Sequence, residues 1–144
     1  MITLDACVLE AFLLDEFAAE EVEGLLKSGE QTIITAWNAA EVFDRLARLT
    51  NEAIESVRAD MAELRILVAA VDEDLAAAAA DLRSRHYHRV TRAVSLADCC
   101  AAAHALDRGA RLATSDAALV QLMQDEGGEV ISLPNSAGIR YPAT

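Results

Sequence analysis

Short runs of apolar and β-branched residues alternate with longer segments of helical periodicity, and this alternation limits what the chain can fold into. The predicted strands cover residues 2–4, 32–35, 66–68, 111–114 and 129–132. The predicted helices cover residues 5–13, 16–27, 38–49, 52–64, 72–85, 95–108 and 116–126. Strands that alternate with helices form a mostly parallel sheet covered by helices on both faces. The sequence therefore predicts an α/β fold, a three-layer α/β/α sandwich with a mostly parallel central sheet.

No linker and no internal repeat divides the chain. Its 144 residues are enough for one domain that buries roughly two thirds of the unfolded surface without disulfides or a structural metal. We therefore expect a single domain over residues 1–144. The last residues, from about 134, are expected to form an irregular C-terminal tail.

The apolar residues do not form a membrane anchor. Although 53% of the residues are hydrophobic, charged residues interrupt every stretch before it reaches the ~18 residues that a spanning helix needs. The first residues contain no basic leader and already include an aspartate at position 5, which argues against a cleaved signal peptide. The cysteines, Cys7, Cys99 and Cys100, form no C-x-x-C pair and are expected to be buried thiols. These features predict a cytoplasmic protein without membrane contact.

The basic residues are concentrated in one segment. A net charge of −12 argues against a nucleic-acid partner only if it is spread evenly, because phosphate binding depends on local cations. Residues 83–92 contain six basic side chains, namely Arg83, Arg85, His86, His88, Arg89 and Arg92. One interpretation is a patch that contacts phosphate groups, which the planar fork of arginine suits. The other is a solvated helix end whose arginines balance the acids at positions 72, 73, 74 and 81.

Four acidic residues lie at positions where solvated charges are not expected. Asp5 and Asp116 follow predicted strands, Asp98 lies in the first turn of a nearly all-apolar helix, and Glu41 lies inside a helix. The carboxyl ends of parallel strands and the helix starts that follow them meet in one crevice. Each acid also has a structural explanation. The three aspartates could cap helices, and Glu41 could pair with arginines at positions 45 and 48.

Together, the acids suggest a divalent metal site. Two carboxylates ~4 Å apart repel each other by roughly 4 kcal/mol at an effective dielectric constant of 20. Against a net stability of about 5–15 kcal/mol, such repulsion must be relieved by a cation, by protonation or by an arginine. Carboxylate oxygens suit Mg²⁺ or Mn²⁺. Zinc is disfavoured because the histidines, at positions 86, 88 and 104, are scattered relative to the acids.

In their order along the chain, these motifs resemble those of the PIN-domain ribonucleases, in particular the VapC-type toxins of type II toxin-antitoxin modules. The resemblance covers most of the chain. The motifs that carry it are a first strand ending in Asp5, AAEV with Glu41, SLADCCAAAHALDRG with Asp98, and RLATSDAAL with Asp116.

The resemblance implies a PIN-like fold and a metal-dependent endoribonuclease. It implies that Asp5, Glu41, Asp98 and Asp116 are catalytic and hold Mg²⁺ or Mn²⁺, and that Thr114 orients the last acid or a water. It also implies an RNA substrate, for which Arg85, Arg89 and Arg92 are the candidate contacts. Family members often carry Ser or Thr within two residues after the first aspartate, whereas this chain has Ala6 and Cys7, and a thiol is a weaker hydrogen-bond donor.

The resemblance further implies a homodimer and a cognate VapB-like antitoxin that brings an arginine towards the acids. The apolar residues of the first two helices agree, because residues 12, 13, 14 and 17 are more than one strand-helix unit can bury.

Two other classes of protein remain open. One is a Mg²⁺-dependent phosphotransfer or phosphatase domain. Two features argue against it: Cys7 occupies the position of the second aspartate of a D-x-D nucleophile motif, and the only lysine, Lys27, is far from any late strand. The other is a non-catalytic PIN-like interaction module. Metal-dependent RNA cleavage separates all three.

Overall fold

A five-stranded parallel sheet forms the centre of the computed structural model, which describes residues 1–142. The strands are β1 (Ile2–Leu4), β2 (Thr32–Thr35), β3 (Leu67–Ala69), β4 (Arg111–Thr114) and β5 (Val130–Ser132). Their order in the sheet is β3-β2-β1-β4-β5, and every neighbouring pair is parallel. The predicted α/β fold with a parallel central sheet is confirmed.

The helices connect these strands. They are α1 (Ala6–Leu13), α2 (Ala19–Leu26), α3 (Ala36–Thr50), α4 (Ile54–Glu63), α5 (Glu73–His86), α6 (Leu96–Arg108) and α7 (Ala117–Asp125). Three starts differ from the prediction by two residues or more, and one of them is that of α4, which begins two residues late, after the N-cap Ala53. Helix α2 begins three residues late because Asp15 adopts a left-handed conformation with φ of 54°, which ends the preceding helix. Helix α3 begins two residues early because the Thr35 hydroxyl caps it, accepting the Asn38 N–H at 3.2 Å.

Helix α6 lies across the middle of the sheet. Its residues from Cys99 to Ala105 are all buried, and most of them are alanine or cysteine. Small side chains let the helix backbone approach the strands closely, and a helix that is apolar on all sides must be buried. The first turn of α6, which carries Asp98, is thereby fixed against the sheet.

The parallel register brings the strand ends to one edge. Leu4, the last residue of β1, pairs with Ile34 of β2 and with Ala113 of β4. The residues that follow these strands therefore emerge side by side at the carboxyl edge of the sheet, where ligands bind in open α/β folds. No helix within residues 1–142 is long and apolar enough to cross a membrane.

After β5 the chain turns back on itself. Pro134 and Arg140 form an isolated antiparallel bridge, and the Arg140 guanidinium pairs with Glu21 of α2 at 2.5 Å. The segment predicted as an irregular tail is thus tied to the domain by a hydrogen-bonded turn as far as residue 142. The last two predicted tail residues, 143 and 144, lie outside the described part of the chain.

Candidate active site

A cleft of about 510 Å³ opens at the carboxyl edge of the sheet. Its lining residues are Asp5, Ala6, Cys7, Glu10, Glu41, Asp44, Arg45, Arg48, Asp98, Ser115 and Asp116. The structure thus brings together the four acids that the sequence singled out. They come from the end of β1, from α3, from the first turn of α6 and from the start of α7.

Asp5 forms the buried floor of the cleft, with only 3% of its surface exposed. Its Oδ2 accepts hydrogen bonds from the Thr114 hydroxyl at 2.8 Å and from the Cys7 thiol at 3.0 Å. Its Oδ1 faces the side-chain amide of Asn38 at 3.5 Å. The side chain makes no capping hydrogen bond to α1, so the helix-cap explanation is wrong for this residue.

Thr114 and Cys7 hold the Asp5 carboxylate in place. The Thr114 hydroxyl donates to Asp5 and accepts the backbone N–H of Asp116 at 3.0 Å, which links the first acid to the backbone of the last. The Cys7 sulfur donates to Asp5 and accepts the Ser115 hydroxyl at 3.2 Å. The thiol therefore occupies a donor position beside the carboxylate, as a serine or threonine hydroxyl could.

Asn38 is a site residue that the sequence reasoning missed. It is fully buried, and its Oδ1 accepts the Thr35 hydroxyl at 2.5 Å. A buried amide must also place its N–H groups on an acceptor, and the acceptor within reach is Asp5. Asn38 lies three residues before Glu41, on the same side of α3. That spacing was the only sequence signal that could have revealed it.

Asp98 and Asp116 cap helices and also line the cleft. Oδ2 of Asp98 accepts the Ser95 N–H at 2.6 Å, and the Ser95 hydroxyl accepts the Asp98 N–H at 3.0 Å, which completes a capping box. Oδ1 of Asp116 accepts the N–H groups of Ala118 and Leu119. The capping explanation is therefore correct for both aspartates. It involves only one oxygen of each, and the other has no hydrogen-bond partner within residues 1–142.

Glu41 has no ion-pair or hydrogen-bond partner for its carboxylate in the part of the chain that the structure describes. Its predicted pairing with Arg45 and Arg48 is wrong. These arginines bind other acids, Arg45 binding Glu10 at 3.1 Å and Glu16 at 3.4 Å, and Arg48 binding Asp44 at 2.9 Å. The Glu41 carboxylate is left free at the side of the cleft.

The acids repel one another electrostatically. Burial, followed by the charge of Asp98, raises the pKa of Asp5 to about 7. Burial raises the pKa of Asp98, with a smaller contribution from Asp116, although hydrogen bonds from Ser95 oppose the shift. Burial and the charge of Asp98 likewise raise the pKa of Glu41. Burial is the largest cause of all three shifts, and the charges of the neighbouring acids add to it.

This donor set fits a divalent cation. Carboxylate oxygens are the ligands that Mg²⁺ and Mn²⁺ prefer, and a cation would favour the ionised form of these buried, neighbouring carboxylates. Within residues 1–142, no three His, Cys, Asp or Glu side chains already form a group that could hold a metal ion. Glu41, Asp98 and Asp116 each have at least one carboxylate oxygen without a hydrogen-bond partner within residues 1–142, and these are the oxygens that could bind an ion.

The arginines predicted to contact RNA lie elsewhere. Two of them pair with acids of α5 and of the end of α7, Arg85 with Asp81 and Glu126, and Arg92 with Asp125. Glu126 is ten residues beyond Asp116, or roughly 15 Å along that helix. Arg89 is exposed in the turn between His88 and Arg92, which form an antiparallel bridge. The structure does not place these three arginines in the lining of the acidic cleft.

Comparisons with known proteins point to one family. A sequence model described as PIN domain matches residues 2–123 of the chain. No curated protein matches the sequence.

Solved structures are similar over most of the chain. FitAcB from Neisseria gonorrhoeae is similar over 91% of this chain and 96% of its own, with 27% identity and a TM-score of 0.64. VapC20 from Mycobacterium tuberculosis, a sarcin-ricin loop cleaving toxin, is similar over 84% of this chain and 94% of its own, with 19% identity and a TM-score of 0.69. A toxin-antitoxin complex from Klebsiella pneumoniae matches over 91% of this chain and 96% of its own, with 19% identity and a TM-score of 0.62.

Proposed function

The chain belongs to the PIN domain family, and from this premise we propose that it is a metal-dependent endoribonuclease, a toxin of the VapC type. The observation that carries the proposal is the cleft at the carboxyl edge, where four acids from separate segments meet and none of them forms an ion pair with the two arginines of the lining. A structural role accounts for one oxygen of Asp98 and one of Asp116. It does not account for the buried Asp5 or for the unpaired Glu41.

In this proposal, Asp5, Asp98 and Asp116 hold Mg²⁺ or Mn²⁺, and Glu41 helps to hold the ion or positions the attacking water. The ion would supply a more acidic water and neutralise charge on the scissile phosphate. Thr114, Cys7 and Asn38 keep the Asp5 carboxylate oriented through the three contacts described above. The nucleophile is water, because the reaction is hydrolysis of an RNA phosphodiester bond.

The test is cleavage of purified ribosomal and transfer RNA by the purified protein. We expect cleavage with Mg²⁺ or Mn²⁺, loss of cleavage with EDTA, and recovery when the ion is restored. Hydrolysis of acetyl phosphate or p-nitrophenyl phosphate without RNA cleavage would instead favour the phosphotransfer or phosphatase class. No reaction with any of these substrates, from a folded protein that binds a partner, would favour the interaction module.

The basic segment is a second part of the proposal, as an outer RNA contact. Arg89 is exposed and has no carboxylate partner within residues 1–142, whereas Arg85 already pairs with two acids. Replacing Arg85 and Arg89 with alanine should weaken RNA binding. The slope of the logarithm of the binding constant against the logarithm of the salt concentration should become shallower by about 0.7 for each single-strand phosphate that is no longer neutralised. Arg89→Ala alone should account for most of the change. An unaltered salt slope, measured by fluorescence anisotropy, would leave the segment with only its structural role.

We also propose that the protein is a cytoplasmic homodimer that binds a VapB-like antitoxin. A second cleft of about 700 Å³ lies beside the first two helices, and its lining combines apolar residues (Phe12, Leu26, Leu64 and Leu67) with charged ones (Glu23, Lys27, Glu30, Glu63 and Arg65). Phe17, just before α2, does not line this cleft but is 70% exposed. A groove of this kind suits the apolar face of a partner helix. The fold is shared with a chain of a toxin-antitoxin complex, which agrees with such a partner.

Light scattering at micromolar concentration should give the mass of a dimer, and a clean monomer would rule the homodimer out.

A further inference from the structure

One face of α3 carries charged side chains along the acidic cleft. Glu41, Asp44, Arg45 and Arg48 are spaced as i, i+3, i+4 and i+7, so they lie on one side of the helix, and all four line the cleft. The lining contains six acids and two cations, the cations being these two arginines. Both arginines of the lining therefore lie on the α3 side of the cleft, beside Glu41 and Asp44, and this is the side on which a polyanion could find a cationic partner.

The two arginines have different surroundings. Arg45 binds Glu10, which is only 6% exposed, so its guanidinium is needed to neutralise a buried carboxylate. The Arg48 side chain is 64% exposed, and its partner Asp44 is equally exposed on the same helix. Ion pairs between exposed residues four apart contribute little. Arg48 can therefore exchange Asp44 for a phosphate, whereas Arg45 is held in place.

The structure also limits which phosphate Arg48 could contact. It is seven residues after Glu41, which is roughly 10 Å along the helix. This separation favours a phosphate next to the scissile phosphate over the scissile phosphate itself. Arginine suits this role because its planar fork can donate two hydrogen bonds to one phosphate.

From these observations, and on the basis of the ribonuclease activity proposed above, we propose that Arg48 binds a phosphate of the RNA strand flanking the cleavage point. Arg45 acts as a positioning residue that holds Glu10 and the α3 face. The strand then crosses the cleft along α3. This contact is separate from the basic segment, whose paired arginines face the end of α7.

The experiment compares Arg48→Ala with Arg58→Ala. Arg58 is a matched control because its side chain is 60% exposed and pairs within its own helix, with Glu55 at 3.1 Å, outside the acidic cleft. The substrate is a short RNA spanning a cut that the wild-type protein makes in ribosomal or transfer RNA. The values to measure are kcat, KM and the salt slope of binding to the same labelled RNA in EDTA.

For Arg48→Ala we expect KM to rise about tenfold, which corresponds to about one charged hydrogen-bonded contact. The slope of the logarithm of the RNA binding constant against the logarithm of the salt concentration should become shallower by about 0.7. The value of kcat should stay within about twofold of the wild type, because the contact is remote from the reacting atoms. Arg48→Lys should recover part of the affinity, since it keeps the charge but not the fork. Arg58→Ala should resemble the wild type.

The two failures are distinguishable. If the wild-type protein cleaves RNA and Arg48→Ala matches Arg58→Ala in KM and salt slope, the Arg48 contact is overturned while the ribonuclease proposal stands. A fall in kcat at unchanged KM would likewise overturn the flanking-phosphate role. If the wild-type protein neither cleaves nor binds RNA, the proposed function fails and this contact fails with it. Circular dichroism spectra identical to the wild type exclude misfolding of the variants.

Discussion

Replacing Asp98 with asparagine should lower RNA cleavage by orders of magnitude while leaving the fold nearly intact. Asparagine keeps an oxygen that can accept the Ser95 N–H, so the capping box should survive and the loss of stability should be a few tenths to about 1 kcal/mol. The variant loses one anionic ligand of the proposed metal site. Mg²⁺ binding should therefore fall steeply and cleavage with it. Calorimetric Mg²⁺ titration, RNA cleavage rates and urea unfolding measure these effects separately.

Ser95→Ala provides the matched control, because it damages the same capping box from the other side. It removes the hydroxyl that accepts the Asp98 N–H and leaves the Asp98 carboxylate in the cleft. We expect a loss of about 1 kcal/mol with cleavage and Mg²⁺ response close to those of the wild type. If Asp98→Asn behaves in the same way, Asp98 is only a helix cap and the metal-site proposal must be abandoned. Asp5→Asn should resemble Asp98→Asn in activity.

The sequence was sufficient to predict the fold and the acids of the cleft because both depend on local patterns. Strand runs alternating with helices require a parallel sheet, and the parallel register then brings Asp5 and Asp116 to one edge. The small residues of α6 predict its burial, which places Asp98 beside them. Each step relies on periodicity or chain order, which the sequence shows directly.

The details that depend on competition between partners were not predictable. Arg45 is four residues from Glu41 and could have paired with it, but it pairs with Glu10 instead. Glu10 is more deeply buried than Glu41, so an unpaired charge there would cost more. This choice depends on how α1 packs against α3, which no pattern within either helix shows.

Two further details involve residues far apart in the chain. Asn38 contacts Asp5 across 33 residues, and its role is visible only once the ends of β1 and β2 are side by side. For the basic segment the sequence left open a phosphate-contacting patch and a helix end balanced by nearby acids. Arg85 does pair with one of those nearby acids, Asp81, but the other neutralising acids, at the end of α7, are 33 and 41 residues away. Charge patterning along the sequence identifies clusters of cations but not the distant acids that approach them.

In the absence of metal, ionisation of Asp5 should lower the free energy of unfolding as the pH rises from about 4 to about 7. The pKa of Asp5 in the folded state is raised from 3.8 to about 7, mainly by burial and then by the charge of Asp98. Below pH 4 both the folded and the unfolded protein hold the proton, and the contribution of Asp5 to stability is fully present. Between the two pKa values the unfolded protein releases the Asp5 proton whereas the folded protein keeps it, so the free energy of unfolding falls by about 1.4 kcal/mol per pH unit. Acting alone, this group would contribute a loss of about 4 kcal/mol by pH 7.

Asp5→Asn isolates this effect, because the amide resembles the protonated carboxyl group in shape and does not titrate. In EDTA, the stability of Asp5→Asn relative to the wild type should increase by a few kcal/mol between pH 5 and pH 8. Urea unfolding of both proteins across this range measures the difference. Mg²⁺ should restore stability at pH 8 in the wild type only, because ligand binding to the folded state is stabilising and requires the ionised carboxylate. Parallel pH profiles, with no selective Mg²⁺ response, would mean that the acids of the cleft are neutralised by the fold itself and need no cation.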